Sequence, residues 1–122
     1  MRFMVLSAIS PDSNSTRITY VQALLEELRK KTPTHIIWVV CQPDHTTSSE
    51  TNHESIHSIH RYKNGLDLIK QHTPDVILLN SGIEVLQYSA SIAADFLHIP
   101  MVGFSVSKID SSQYFLPGSY NL

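Results

Sequence analysis

By residue type, the stretch of this chain with the most chemistry in it is His53-Glu54-Ser55-Ile56-His57. The spacing H-E-x-x-H is that of zinc peptidases, in which two imidazoles at i and i+4 share one helical face and the glutamate is the general base. His60 follows three residues later. The motif needs a helix. Here the polar run Thr46 to Asn52 precedes it and Asn64-Gly65 cuts it off, which leaves little room for one. A third ligand at the metzincin spacing is missing, and with seven histidines in 122 residues a chance match is no surprise. Zinc hydrolysis is therefore the remote alternative, and no metal site is expected.

Two loops dense in hydroxyls and amides offer milder chemistry. Ser10-Pro11-Asp12-Ser13-Asn14-Ser15 and Asn80-Ser81-Gly82 each follow an apolar run and precede a helical one. Their side chains suit helix caps, and the free N–H groups of a helix start suit phosphate or sugar oxygens. Ser13, Asn14, Ser15, Asn80, Ser81 and Gly82 are the expected binding residues. Other signatures fail. Neither G-x-G-x-x-G nor a Walker A loop is present, and Gly103-Phe104-Ser105-Val106-Ser107 lacks the second glycine of a nucleophile elbow. No residue qualifies as a catalytic base from sequence. The lone Cys41 excludes an internal disulfide, fits a reducing compartment and reads as a small buried hydrophobe.

The elements that must position these loops are legible in the hydrophobic pattern. Phe3 to Ile9, His35 to Cys41 and Val76 to Leu79 are near-continuous apolar runs, as expected of parallel strands buried on both faces. Ser55 to Arg61 is a weaker strand, and Met101-Val102-Gly103-Phe104 a fifth. Between them, Ile18, Val21, Leu25 and Leu28 mark a helix from about Thr16 to Thr32, its charged residues on the other side. Leu66 and Ile69 mark a second helix over about 64–72. Ser81-Gly82-Ile83-Glu84 matches a capping box for a third, with Ile83, Leu86, Ala90, Ala93 and Leu97 as its inward stripe. The fold class is α/β: a doubly wound, Rossmann-like parallel sheet of about five strands. Right-handed crossovers most simply give the order 3-2-1-4-5, with the reversal between the first and fourth strands. Ligands in such sheets bind beyond the carboxyl ends at that reversal, which sets the two polar loops side by side.

One domain spanning 1–122 is expected, with 108–122 an irregular tail and 42–52 a long polar loop. Hydrophobic content of 42% and charged content of 16% are globular values. Nine basic against eleven acidic side chains, a formal charge of −2, give no electrostatic case for nucleic acid or an anionic membrane. The basic run Arg29-Lys30-Lys31 falls at a helix end, where cations complement the dipole. No apolar run approaches a membrane span or a signal-peptide core, so the chain reads as cytoplasmic. Tyr114, Phe115, Leu116 and Tyr120 are apolar for a free tail and leave room for a homo-oligomer.

Pro74-Asp75-Val76-Ile77 before a polar turn, a helix ending Ile92-Ala93-Ala94-Asp95-Phe96-Leu97-His98, and then Ile99-Pro100-Met101-Val102-Gly103 resemble the N-terminal, acceptor-side domain of GT-B glycosyltransferases of the family-4 type. Tyr20 to Leu28 is similar to that family's first helix. Two positions depart from the pattern: Ser13-Asn14-Ser15 stands where the family often has a glycine pair, and Leu78-Leu79-Asn80 where it often has histidines. The resemblance implies a crevice that holds a glycan or small-molecule acceptor and forms one wall of an interdomain cleft. It implies no cofactor in this chain; the nucleotide-sugar donor belongs to a C-terminal domain that 122 residues do not include. The alternative is a non-enzymatic signalling or small-molecule-binding module. Asp75 to Asn80 also looks like the phospho-acceptor strand of receiver domains, though Asn80 stands in place of the acceptor aspartate and the first strand lacks the Mg²⁺-holding acidic pair.

Overall fold

The computed structural model describes residues 1–12, 15–41, 53–80, 85–104 and 119–121. Its elements in chain order are β1 (Arg2–Ser7), α1 (Thr16–Lys31), β2 (His35–Val40), β3 (Glu54–Ser58), α2 (Gly65–His72), β4 (Val76–Asn80), α3 (Val85–Phe96), β5 (Met101–Phe104) and β6 (Ser119–Asn121). A single 3₁₀ turn, Ile59–Arg61, follows β3. The strands form one sheet in the order β3-β2-β1-β4-β5-β6, every pair parallel. The expected 3-2-1-4-5 order is therefore present. Within the stretch expected as an irregular tail, β6 adds a short strand beside β5; residues 108–118 and 122 lie outside the described residues.

Alternation along the buried strands sorts side chains to two cores, as a period of two requires. Phe3, Val5, Ile36, Trp38, Val40, Ile56 and Leu78 face α1, meeting its Ile18, Val21 and Leu25. Met4, Leu6, Ile37, Val39, Ile77, Leu79 and Met101 face α2 and α3, meeting Leu68, Ile69, Ala90 and Ala94. Helices thus cover both faces, which explains why the interior strands read as continuous apolar runs.

The pairing of α2 with α3 depends on one residue. A Cβ at Gly65 would overlap the backbone of Ser89 and Ala90, so the first turn of α2 lies directly on α3. That turn is fastened reciprocally: Asn64 Oδ1 accepts from Asp67 N at 2.8 Å, and Asp67 Oδ2 accepts from Lys63 N at 3.1 Å. The Lys63 amide, helped by Gln71, holds the Asp67 carboxyl below its usual range.

The inward face of α3 is shifted from expectation. Gln87, Ala90, Ser91 and Ala94 are its fully buried residues, Leu86 and Ala93 only flank the core, and Leu97 is exposed. The expected stripe ran about one position out of register because it followed hydrophobicity, whereas close contact with α2 favours small side chains. Residues 81–84, with the expected capping box, lie outside the described residues.

The zinc-peptidase reading is overturned. His53 precedes β3 and His57 lies within it, so the motif is extended and its two histidine backbone positions stand about 13 Å apart along the chain rather than one helical turn. Glu54 is engaged elsewhere: it accepts from Trp38 Nε1 at 2.7 Å and pairs with Arg29 Nη2 at 2.8 Å. Among the described residues, no three His, Cys, Asp or Glu side chains are grouped to hold a metal ion.

Candidate functional site

Parallel strands all finish on one side, so the carboxyl ends of β1, β2 and β4 and the start of α3 converge. Ser7, the last residue of β1, is the hub. Its Oγ donates to the carbonyl of Ile9 at 2.7 Å and accepts from Ile9 N at 3.3 Å, which turns the chain out of the strand two residues before the expected end at Ile9. The same oxygen accepts from Asn80 Nδ2 at 3.2 Å, tying the end of β4 to the end of β1. Gln87 reaches in from α3. Its Nε2 donates to the carbonyls of Ser7 (3.0 Å) and Val39 (2.9 Å), so one amide spans two strand ends. Its Oε1 accepts from Cys41 Sγ at 3.2 Å.

Ser7, Asn80 and Gln87 are all essentially inaccessible to water. Buried polar groups must be partnered, and these partner one another. The result is a neutral, mutually satisfied floor beneath the sheet's order reversal. It fixes the geometry of the crevice.

At the rim, Ser15 is half-buried at the N-cap of α1, with extended backbone (φ −78°, ψ 139°) and no side-chain capping bond. Its carbonyl accepts from Thr19 N at 3.1 Å, so the backbone performs the capping geometry and the hydroxyl is not consumed by it. Ser10 and Asp12 close a small turn, Asp12 N donating to Ser10 Oγ at 3.3 Å. His60 stands at the neighbouring rim, its Nε2 donating to the carbonyl of Cys41 at 3.1 Å. A donated Nε2–H leaves Nδ1 as the acceptor of the neutral ring.

Of the expected binding residues, Ser15 and Asn80 are brought to this carboxyl edge, Ser15 at the rim and Asn80 in the floor. Ser13, Asn14, Ser81 and Gly82 lie outside the described residues. Sequence reasoning missed Ser7, Gln87 and the participation of Cys41. The signal for Gln87 was available: positions 87, 90, 91 and 94 repeat at helical spacing, and a long amide on a buried stripe needs partners.

No protein-family model and no curated protein match this chain. Its fold is similar to that of a solved structure, the UDP-GlcNAc 2-epimerase from Methanocaldococcus jannaschii, with a TM-score of 0.53 over 97% of this chain at 16% identity. The likeness is one of fold. The chain spans about a third of the epimerase's length, 34%. The shared architecture is the Rossmann-like sheet with helices on both faces. The observed order differs from the doubly wound order 2-1-3-4-5, in which the first strand lies between the second and third. That is the order of receiver domains, so the alternative of a degenerate receiver loses its architectural basis. Among the described residues, no helix is long and apolar enough to cross a membrane.

Proposed function

We propose that this chain serves as the N-terminal, acceptor-side domain of a GT-B glycosyltransferase, holding a glycan or small-molecule acceptor at the carboxyl edge of its sheet. The observation that carries this reading is the rigid neutral floor of Ser7, Asn80 and Gln87 at the order reversal, overlooked by the uncommitted hydroxyl of Ser15. Sugars are recognised by fixed neutral donors and acceptors, and preorganisation lowers the cost of binding them. The fold's similarity to a UDP-GlcNAc epimerase supports the same sugar-nucleotide setting. In this reading the donor nucleotide sugar occupies a C-terminal domain outside the 122 residues, and the crevice is one wall of the cleft between them.

The chain's share of the chemistry is positioning. Ser15, with Ser13, Asn14, Ser81 and Gly82, orients the acceptor hydroxyl; Asn80 and Gln87 hold the strand ends that carry those loops.

The test is a titration of N-acetylglucosamine, glucose and UDP-GlcNAc into isotopically labelled protein, followed by amide shifts. Binding should move Ser10, Ser15 and Asn80, and the paired changes Asn80→Ala and Ser81→Ala should weaken it severalfold. Unchanged affinity in that variant discards the crevice as the site.

A further inference from the structure

At the opposite, amino-terminal edge of the sheet a second concavity opens. A cleft of about 510 Å³ is walled mainly by Arg2, Arg29, Pro33, Thr34, His35 and His53. Its volume falls within the range of small-ligand sites. Four of these residues are arginine or histidine, and none is acidic.

The two arginines differ. Arg29 spends its charge on Glu54 at 2.8 Å and Glu26 at 3.3 Å. Arg2 does not. Its Nε–H donates to the carbonyl of His72 at 2.6 Å, and the carboxylate beside it, Asp75, accepts from the Arg2 backbone N–H at 2.8 Å rather than from the guanidinium. Among the described residues, no ion pair involves Arg2. The side chain is half-buried, where a cation without a counter-charge is costly.

Imidazole rings gather around it. His35 is paired with Arg2 in the β1–β2 register. His57 packs its ring on that of His72, with centroids 4.6 Å apart, and these stand behind Arg2 on the same side of the sheet. The field of His57, Arg2 and His35 adds to burial in keeping His72 neutral. Arginine and histidine side chains thus meet at one edge of a chain whose formal net charge is −2. The nitrogens left on a guanidinium after Nε is engaged form the planar pair that meets phosphate oxygens two at a time.

We propose that this amino-edge cleft binds a small phosphorylated anion, its phosphate held by the Arg2 guanidinium and flanked by His35 and His53. The site lies at the far end of the sheet from the sugar crevice and does not depend on it.

Inorganic phosphate is the probe, titrated into the full chain at pH 7 and constant ionic strength, with chloride as the matched control. Saturable binding is expected by calorimetry, with the ring signals of His35 and His53 shifting together. Arg2→Gln should weaken binding at least tenfold. Because Arg2 also fastens the end of α2, His53→Gln provides a second variant whose ligand-free melting should match the parent while its affinity drops severalfold. The proposal is overturned by phosphate effects no larger than chloride's, by shifts confined to Ser7, Asn80 and Gln87, or by unchanged affinity in both variants.

Discussion

The two ends of this sheet solve the same problem in opposite ways. At the carboxyl edge, strand ends are joined by uncharged amides and a hydroxyl that satisfy one another: Asn80 on Ser7, Gln87 on Ser7 and Val39. At the amino edge the joints are ionic or ionisable. Arg29 bridges α1 to Glu54 of β3, Arg2 of β1 holds the end of α2, and the His57 ring of β3 lies tilted against that of His72. A neutral joint is indifferent to pH and salt. A charged one responds to both, and it attracts counter-charge. One sheet therefore has an edge tied by uncharged groups and an edge tied by ionic and ionisable ones.

The largest expected disturbance is one that loosens both ends together. Gly65 lets α2, which ends at His72 on the amino edge, lie against α3, which brings Gln87 to the carboxyl edge. Gly65→Ala should cost about 3 kcal/mol or more through overpacking against backbone, read as a drop in the denaturation midpoint with both edges perturbed by NMR. A loss under about 1 kcal/mol would mean the helices separate freely and the edges are not coupled through them.

Gln87→Ala should act on the carboxyl edge alone. It leaves two carbonyls and a thiol without their partner in the buried floor, at a cost of about 2–3 kcal/mol. Amide shifts should be confined to Ser7, Val39, Cys41 and Asn80. Spread to Arg2 or His72 would erase the distinction between the ends.

The smallest effect belongs to pH and should be confined to the amino edge. Burial, with the charges of His57, Arg2 and His35, pushes His72 down from 6.5 to about 4. Burial likewise pushes the Tyr62 hydroxyl up to about 12, so it stays protonated, and it shares a hydrogen bond of 2.5 Å with His72 Nε2. Because the folded-state value of His72 lies below the unfolded one, the unfolded chain takes up more protons between them. Stability contributed by neutral His72 is complete above pH 6.5 and is lost as pH falls toward 4. After discounting for partial exposure the loss is about 1–2 kcal/mol. Denaturation midpoints at pH 7.5 and 5 should fall less in His72→Gln than in the parent; a parallel fall would move the proton uptake to another group.

The architecture was readable in the sequence because its determinants are local and periodic. The apolar runs around Val5, Trp38 and Leu78 mark buried parallel strands without reference to anything distant, and their spacing leaves room for one helix each. Even the weak strand at Ser55 was visible in outline, although Glu54 to His57 carries a motif that in a helix would mean zinc. The site was less readable for a physical reason. Ser7, Cys41, Asn80 and Gln87 come from four separate elements, and only strand order brings them together. Serine and asparagine at a strand end read equally as caps or as ligand contacts. Gln87, on a stripe judged by hydropathy alone, was passed over for Leu86. The amino-edge arginine and histidines were equally scattered, with Arg2, His35, His57 and His72 spread over seventy positions.

One residue of that edge has an optical consequence. Trp38 is the chain's single tryptophan, fully buried, with its indole N–H on the carboxylate of Glu54, which in turn grips Arg29 in the cleft wall. All indole emission from this protein therefore originates at one point between β2 and β3, shielded from solvent and hydrogen-bonded to an anion. Its wavelength and intensity report on the Glu54–Arg29 pair, and the Ser7–Asn80–Gln87 floor at the other end does not touch it.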